Sequence, residues 1–377
     1  MNSSKTCDPD ICTLRWTAGD LASLNWRDFD RTAKFATREV VRVSDDLDVW
    51  DAWPLANATG APVSWRGGEL WFALAAPVDG DPELRHGLAR IHCFHHVDGA
   101  FRHLGPTLPE GFSPGSREWS GCARMEDGRV ALYFTAAGTQ GQQGSVNRQR
   151  LLRTRGALSD GDRIFAGWEP LEELIAPGTG PYMCTDLPGG GIGTIKAFRD
   201  PFAWTTAAGR EMLLFTGSAK TLSDPFNGVI GLAELDASGA YRPLPPLIDA
   251  TGLNNELERP HIVAKDGLLY LFWSTQASVF THSVKAPTGL YGAVADRIEG
   301  PWTLLNSDGL IFANPQDEPF QAYSWWVLPD MRVTSFVDYC GIGDPDAKEK
   351  PQGRTHFGGT FAPFLRIELD GANTRLA

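Results

Sequence analysis

The chain has 377 residues, 42% of them hydrophobic and 11% aromatic, ample for a large core and more than one simple domain requires. A net charge of −12 with no Lys/Arg-rich run argues against nucleic acid and anionic membranes as partners. No apolar run approaches the roughly 18 residues that cross a bilayer, and "MNSSKTCDPDICTLRW" lacks the apolar stretch of a cleavable secretory signal, so none is expected.

In chain order, residues 1–45 contain "WTAGDLASLNW", which predicts a capped helix docked as a lid or strap on the rest of the chain. Beyond it, pairs of strand-like segments recur. "VWDAWPL" from Val49 precedes "GELWFALAAP" from Gly68, and "REWSGCA" from Arg117 precedes "GRVALYFTAAG" from Gly128. "FRDPFAW" from Phe198 precedes "GREMLLFTGSA" from Gly209, and "NELERPHIV" from Asn255 precedes "GLLYLFWSTQ" from Gly267. "QAYSWWVLP" from Gln321 precedes "DMRVTSFVDY" from Asp330. The second member of each pair opens on a turn signal and then runs through β-branched, aromatic and Leu residues, the pattern of a strand buried on both faces. Repeats of this length, rich in strands and poor in amphipathic helix, predict an all-β, five-bladed β-propeller over residues 46–377. The first member of each pair carries a carboxylate or Tyr among aromatics. As the innermost strands of their blades, these segments would bring their polar residues to one central funnel.

Other features carry less chemistry. "GTQGQQGSVNRQR" and "GTGPYMCTDLPGGGIGTIK" are predicted loops; Gly189, Gly190 and Gly191 have no Lys-Ser/Thr after them, so a turn is expected and not a phosphate cradle. "HCFHH", His92 to His96, lies in a strand-like alternation that splits its imidazoles between two faces, so no metal site is expected there. The six Cys form no CxxC pair. Free thiols would suit a reducing compartment, with one or two bridges, Cys7 to Cys12 for example, left open.

Three acids stand out among the innermost segments: Asp51, Asp200 and Glu258. Glycoside cleavage needs two carboxylates across the scissile bond, one to attack or guide water and one to protonate the leaving oxygen. A third can hold hydroxyls and steady an oxocarbenium-like transition state. Glu258 reaches further than an Asp and has a second carboxylate, Glu256, two residues away, which suits a proton donor. Arg199 beside Asp200 keeps that carboxylate ionised and offers a fork of donors to sugar oxygens. The competing reading is that these are turn carboxylates held in ion pairs.

"VWDAWPL", "EWSG", "FRDP", "ELERPHIV" with "YLFWS", "GPWTLLNSDGLIF", "QAYSWWVLP" and "GGTFAP" resemble, in order, the signatures of glycoside hydrolase family 68, the levansucrase and inulosucrase group. The resemblance runs from about residue 45 to 370 and is closest to the shorter Gram-negative type. It implies a five-bladed propeller that splits sucrose and passes the fructosyl group to acceptor sugars, without a cofactor, outside the cell or in the periplasm. It implies Asp51 as nucleophile, Asp200 as transition-state stabiliser and Glu258 as acid/base. Trp50, Trp119, Ser120 and Arg199 would surround the fructosyl ring, with Glu256 and Tyr323 near the glucosyl or acceptor side. The "WMNDPNG"-like block of the neighbouring sucrose-hydrolysing family is absent.

Three departures from the family pattern matter. Gln276 stands where an Arg or His usually meets the acceptor, and Ser218 where many members have Asn; both are expected on the acceptor side. Asn255 replaces an Asp that Gram-positive members use for calcium, so no metal is expected. A fructosyltransferase, a β-fructofuranosidase sending the same intermediate to water, and a sugar-binding propeller without catalysis all remain compatible with the residues alone.

Overall fold

The computed structural model describes residues 11–22, 24, 28–141, 148–159, 164–185, 195–220 and 224–377. Cys7, and with it the Cys7–Cys12 pairing left open above, and the Gly189–Gly191 turn fall outside them.

Five innermost strands, Leu47–Ala56, Arg117–Glu126, Phe198–Thr205, Glu258–Lys265 and Ala322–Val327, coincide with the five polar-marked segments. Each pairs antiparallel with the apolar strand that follows: Gly68–Pro77, Arg129–Ala137, Glu211–Ser218, Leu268–Thr275 and Arg332–Tyr339. Further strands extend each blade outward. The innermost strands touch in chain order and the fifth returns to the first, closing a ring around a central channel. The fold is the five-bladed β-propeller that the repeats predict. The second strands are buried along nearly their whole length, as their continuous apolar runs require.

Local chemistry sets the hairpins. Arg66–Gly67, Asp98–Gly99, Asp127–Gly128 and Asp266–Gly267 all hold positive φ at both positions. That is the two-residue turn whose twist matches the flanking strands, and it explains why the apolar strands follow a glycine.

A second regularity positions the site. Each innermost strand carries one extra residue relative to its partner at the same place: between Trp50 and Trp53, Trp119 and Gly121, Arg199 and Phe202, Glu258 and His261, and Tyr323 and Trp326. Such bulges bend the strand and re-aim a side chain. At four of them the residue beginning the bulge is left-handed: Asp51 at φ 51°, Asp200 at 58°, Arg259 at 54° and Ser324 at 62°.

The amino-terminal segment departs from the predicted helix. Its described residues from Thr17 to Leu24 form successive turns with bonds from Asp20, Ala22 and Leu24 N–H groups to Thr17, Gly19 and Leu21 carbonyls. Asp20 also accepts from both the N–H and the hydroxyl of Thr17 at 2.7 Å. Before these turns, Leu14–Arg15 adds a parallel edge strand to Ile248–Asp249 of the third blade. Nearer the first blade, Arg42 donates to Gly358 O at 2.7 Å and Thr360 Oγ1 donates to Val41 O at 2.8 Å, fastening the last blade to the start of the first.

Trp16 is the apolar anchor of this segment. It is fully buried against Trp273, Phe280 and Tyr291, and its Nε1 donates to Asp308 O at 3.1 Å. Trp16→Ala should therefore lower unfolding free energy by about 3–5 kcal/mol, measured by urea denaturation.

Candidate active site

The channel opens into a funnel enclosing about 810 Å³, its mouth included. Of the residues singled out from the sequence as catalytic or as facing substrate or acceptor, all but Ser218 line it: Trp50, Asp51, Trp119, Ser120, Arg199, Asp200, Glu256, Glu258, Gln276 and Tyr323. They come from all five blades.

The bulges sort the lining residues of the innermost strands into two tiers. Asp51, Ser120, Asp200, Arg259 and Ser324 start the bulges; Trp50, Trp119, Arg199, Glu258 and Tyr323 immediately precede them. In the lower tier, Ser120 Oγ lies 2.9 Å from Asp200 Oδ1 and 3.4 Å from Asp51 Oδ2, so its single proton serves one carboxylate at a time. Asp200 is held further by Thr216 Oγ1 at 2.9 Å and the Arg259 backbone N–H at 3.2 Å. Its own N–H donates to Thr135 Oγ1 at 2.9 Å. Arg259 donates from Nη1 to Ser324 Oγ and from Nη2 to Ala52 O, both at 2.8 Å, while its charge faces Asp51.

In the upper tier, Arg199 Nη2 bridges Glu258 Oε1 at 2.9 Å and Glu256 Oε2 at 3.2 Å, and Nε lies 3.9 Å from Asp200 Oδ2. Tyr323 donates its hydroxyl to Glu258 Oε2. Glu258 is thus held on both oxygens. Arg199 Nη1 and Trp50 Nε1 are buried in the funnel wall without a hydrogen-bond partner. Unmet donors at a cavity wall are groups that a hydroxylated ligand can satisfy.

Burial dominates the electrostatics. It pushes the Asp51 carboxyl up to about 6, with Arg259 and Ser324 opposing and Asp200 and Glu258 reinforcing. It raises Glu256 to about 7 against the pull of Arg199, and raises Asp200 as well. Burial would lower the Arg199 guanidinium, but Glu256, Glu258 and Asp200 reverse this and hold it fully charged. Displaced acids gathered in a cleft mark a functional site.

Sequence reasoning missed Arg259, Ser324, Arg85, His86 and Lys350, all of which line the funnel. Arg259 and Ser324 were legible: aligning "WDAW", "WSGC", "RDPF", "ERPH" and "YSWW" puts them in register with Asp51. The others come from connecting loops. Arg85 lies over the Trp50 ring at 5.1 Å, and burial drives the His86 imidazole well below its ordinary value, leaving it neutral. Lys350 pairs with Asp338 Oδ2 at 2.7 Å.

Ser218 corrects an expectation. It is fully buried behind the third blade's innermost strand, where its Oγ accepts from Ala197 N at 2.9 Å, and it does not line the funnel. A short hydroxyl committed to the backbone cannot reach an acceptor. Gln276 does reach the rim, half-buried, at the start of a short 3-10 turn over Ala277–Val279. The histidines of "HCFHH" are occupied separately: His92 by His103 at 2.8 Å, His95 by Trp65 O at 3.0 Å and His96 by Glu69 at 3.3 Å.

The closed propeller and its acid-lined, aromatic-walled funnel define a carbohydrate-active enzyme. The chain belongs to glycoside hydrolase family 68, described as Levansucrase/Invertase, whose model matches residues 7–227 and 225–377. It is 30% identical to a levansucrase of Rahnella aquatilis, over 94% of this chain and 92% of that one. It is 29% identical to an extracellular sucrase of Zymomonas mobilis, over 96% and 92%. An inulosucrase from Halalkalicoccus jeotgali bound to kestose superposes with a TM-score of 0.85 at 31% identity, over 97% and 95% of the two chains.

The raised Asp51 pKa has a stability consequence. The folded state keeps this proton to about pH 6 and the unfolded chain only to about 3.9, so the folded state binds more protons between those values. The stability this contributes is complete at about pH 4 and lost as pH rises through about 6. Asp51→Asn, neutral throughout, should exceed the wild type in stability at pH 7 by about 1–3 kcal/mol and match it near pH 4. Urea titrations at the two pH values check this.

Proposed function

We propose that this enzyme is a sucrose fructosyltransferase working by double displacement within a single propeller, residues 46–377, strapped by the residues before it. The observation that carries the reading is the meeting of Asp51, Asp200 and Glu258 from three different blades in one funnel. Asp51 attacks the anomeric carbon of the fructosyl unit as the glycosidic bond to glucose breaks, and Glu258 protonates the departing glucosyl oxygen. Glucose leaves and a fructosyl ester on Asp51 remains. Glu258, now a carboxylate, takes the proton of an acceptor hydroxyl, which attacks the same carbon and frees Asp51.

Asp200 does not attack. Its oxygens are committed to Ser120, Thr216 and the Arg259 N–H, so it stays in place to face positive charge developing on the ring and to hold fructosyl hydroxyls. Arg199 supports Glu258 while its free Nη1 binds a substrate oxygen. Trp50 and Trp119 supply apolar walls. The Zymomonas relative is named for acting outside the cell, and this supports export of the present enzyme too.

The test is incubation with concentrated sucrose, measuring glucose against free fructose. Excess glucose is expected; equal amounts would mean that water is the acceptor and the enzyme a β-fructofuranosidase. Asp51→Asn and Glu258→Gln should each lower turnover by roughly a thousandfold or more with the fold intact by circular dichroism.

Acceptor handling turns on Gln276. Its amide is uncharged and makes weaker bonds to sugar oxygens than a guanidinium does. One such bond of about 1 kcal/mol changes residence several-fold, enough for short products to leave before the next transfer. Short fructooligosaccharides with little polymer are expected. Gln276→Arg should lengthen them at nearly unchanged sucrose consumption, as read by size-exclusion chromatography and glucose release.

A further inference from the structure

We propose that Lys196 is a positioning residue whose ammonium acts as a built-in cation, clamping three chain segments and thereby fixing the Glu256–Arg199–Glu258 triad in the funnel wall. Its importance for turnover rests on the roles proposed for Glu258 and Arg199.

The ammonium has three N–H donors and meets three oxygens: Asn227 Oδ1 and Asn255 Oδ1, each at 2.6 Å, and the Pro225 carbonyl. These lie 31, 59 and 29 residues away in the chain. Full use of all three protons by uncharged oxygens is the arrangement a small cation imposes. The backbone that follows is held in turn. Gln149 Nε2 donates to Lys196 O at 2.8 Å, Ala197 N to Ser218 Oγ at 2.9 Å and Phe198 N to Gln149 Oε1 at 3.0 Å. The side chain is therefore a strut from a rigid base.

What the strut holds leads into the funnel. Asn255, with its Oδ1 on the ammonium, donates from Nδ2 to Ile195 O and to Glu256 Oε1, both at 3.4 Å. Its backbone N–H bonds Val279 O at 3.0 Å, and Glu256 N donates to Asn254 Oδ1 at 2.7 Å. Glu256 then takes Arg199 Nη2 at 3.2 Å, and the same nitrogen takes Glu258 at 2.9 Å. Glu256 is a buried acid held up near 7, and the Lys196 charge attracts it. Losing that charge would favour the protonated acid, which grips Arg199 less firmly. Arg199 would swing toward Glu258 or Asp200 alone, and the proton donor would lose its alignment.

Lys196→Ala leaves three oxygens facing a hole the size of propylammonium, which permits rescue by the missing fragment. Lys196→Met keeps the stem and removes the charge. Both variants should fall on the order of tenfold to a hundredfold in kcat for glucose release. Lys196→Ala should also melt several degrees lower. Propylammonium should restore kcat and Tm of Lys196→Ala saturably, whereas 1-propanol, nearly the same shape without charge, should not. Should Lys196→Ala fold only with propylammonium present, its withdrawal by dialysis should abolish activity and structure together. In Lys196→Ala/Asn255→Asp, an added carboxylate among neutral oxygens should make Tm rise with calcium. Two results would overturn the proposal: Lys196→Met within twofold of wild-type kcat at unchanged Tm, or propanol rescuing as well as propylammonium. If wild-type enzyme released no glucose from sucrose, the function would be wrong, while the propylammonium dependence of Tm would still judge the clamp.

Discussion

Four carboxylates, Asp51, Asp200, Glu256 and Glu258, face the guanidinium groups of Arg199 and Arg259 in one funnel, and that pairing governs the molecule. Gathering like charges out of water is unfavourable at any protein dielectric, and removing one partner of a buried pair leaves a charge uncompensated. Arg199 answers for the upper acids and Arg259 for the lower ones. Neither fully wins: Asp51 and Glu256 remain displaced upward, so the site stores free energy that the apolar blades must offset. Ser120 and Tyr323 add donors without adding charge, which steadies carboxylates while leaving their reactivity intact.

The backbone carries a matching expense. Left-handed φ at non-glycine residues costs about 1–3 kcal/mol each and persists only where the surroundings over-determine it. Asp51, Asp200, Arg259 and Ser324 all adopt it at the same point of their blades. One bulge geometry, repeated around the ring, brings the lower-tier side chains within reach of one another. The propeller thus supplies equivalent positions, and the sequence fills them with unlike chemistry: carboxylate, hydroxyl, carboxylate, guanidinium, hydroxyl. Glu258 sits one residue earlier, in the tier above.

Much of this was legible in the sequence, because blade periodicity and the aromatic segments carrying acids are written in consecutive residues. The five innermost strands and the acids Asp51, Asp200 and Glu258 followed from them, while Trp50, Trp119, Ser120, Tyr323 and Gln276 were reached through the resemblance to glycoside hydrolase family 68. Arg259 escaped because attention to carboxylates passed over a cation occupying the same bulge position. Arg85, His86 and Lys350 arrive from loops with no repeating pattern, and only tertiary folding brings them to the funnel. Ser218 was misplaced because a strand's end can face the channel or the neighbouring backbone, and Ala197 claims its hydroxyl. In place of the predicted helix, the N–H groups of Asp20, Ala22 and Leu24 each reach a carbonyl only three residues back, which makes a run of tight turns.

The division between rigid strands and rim loops also separates two kinds of sequence freedom. Asp200 is bonded through its backbone as well as its side chain, and the segment carrying Glu256 is tied to Asn254, Asn255 and Lys196, so substitutions there propagate into the reacting centre. Gln276 begins a short turn and makes no capping bond with its side chain. On the role proposed for it, a change at Gln276 would alter what an incoming sugar meets without disturbing how Asp51 and Glu258 are held. On the proposed roles, the interlocked tiers would fix cleavage of the donor, and the fate of the fructosyl group would be set where the framework constrains side chains least.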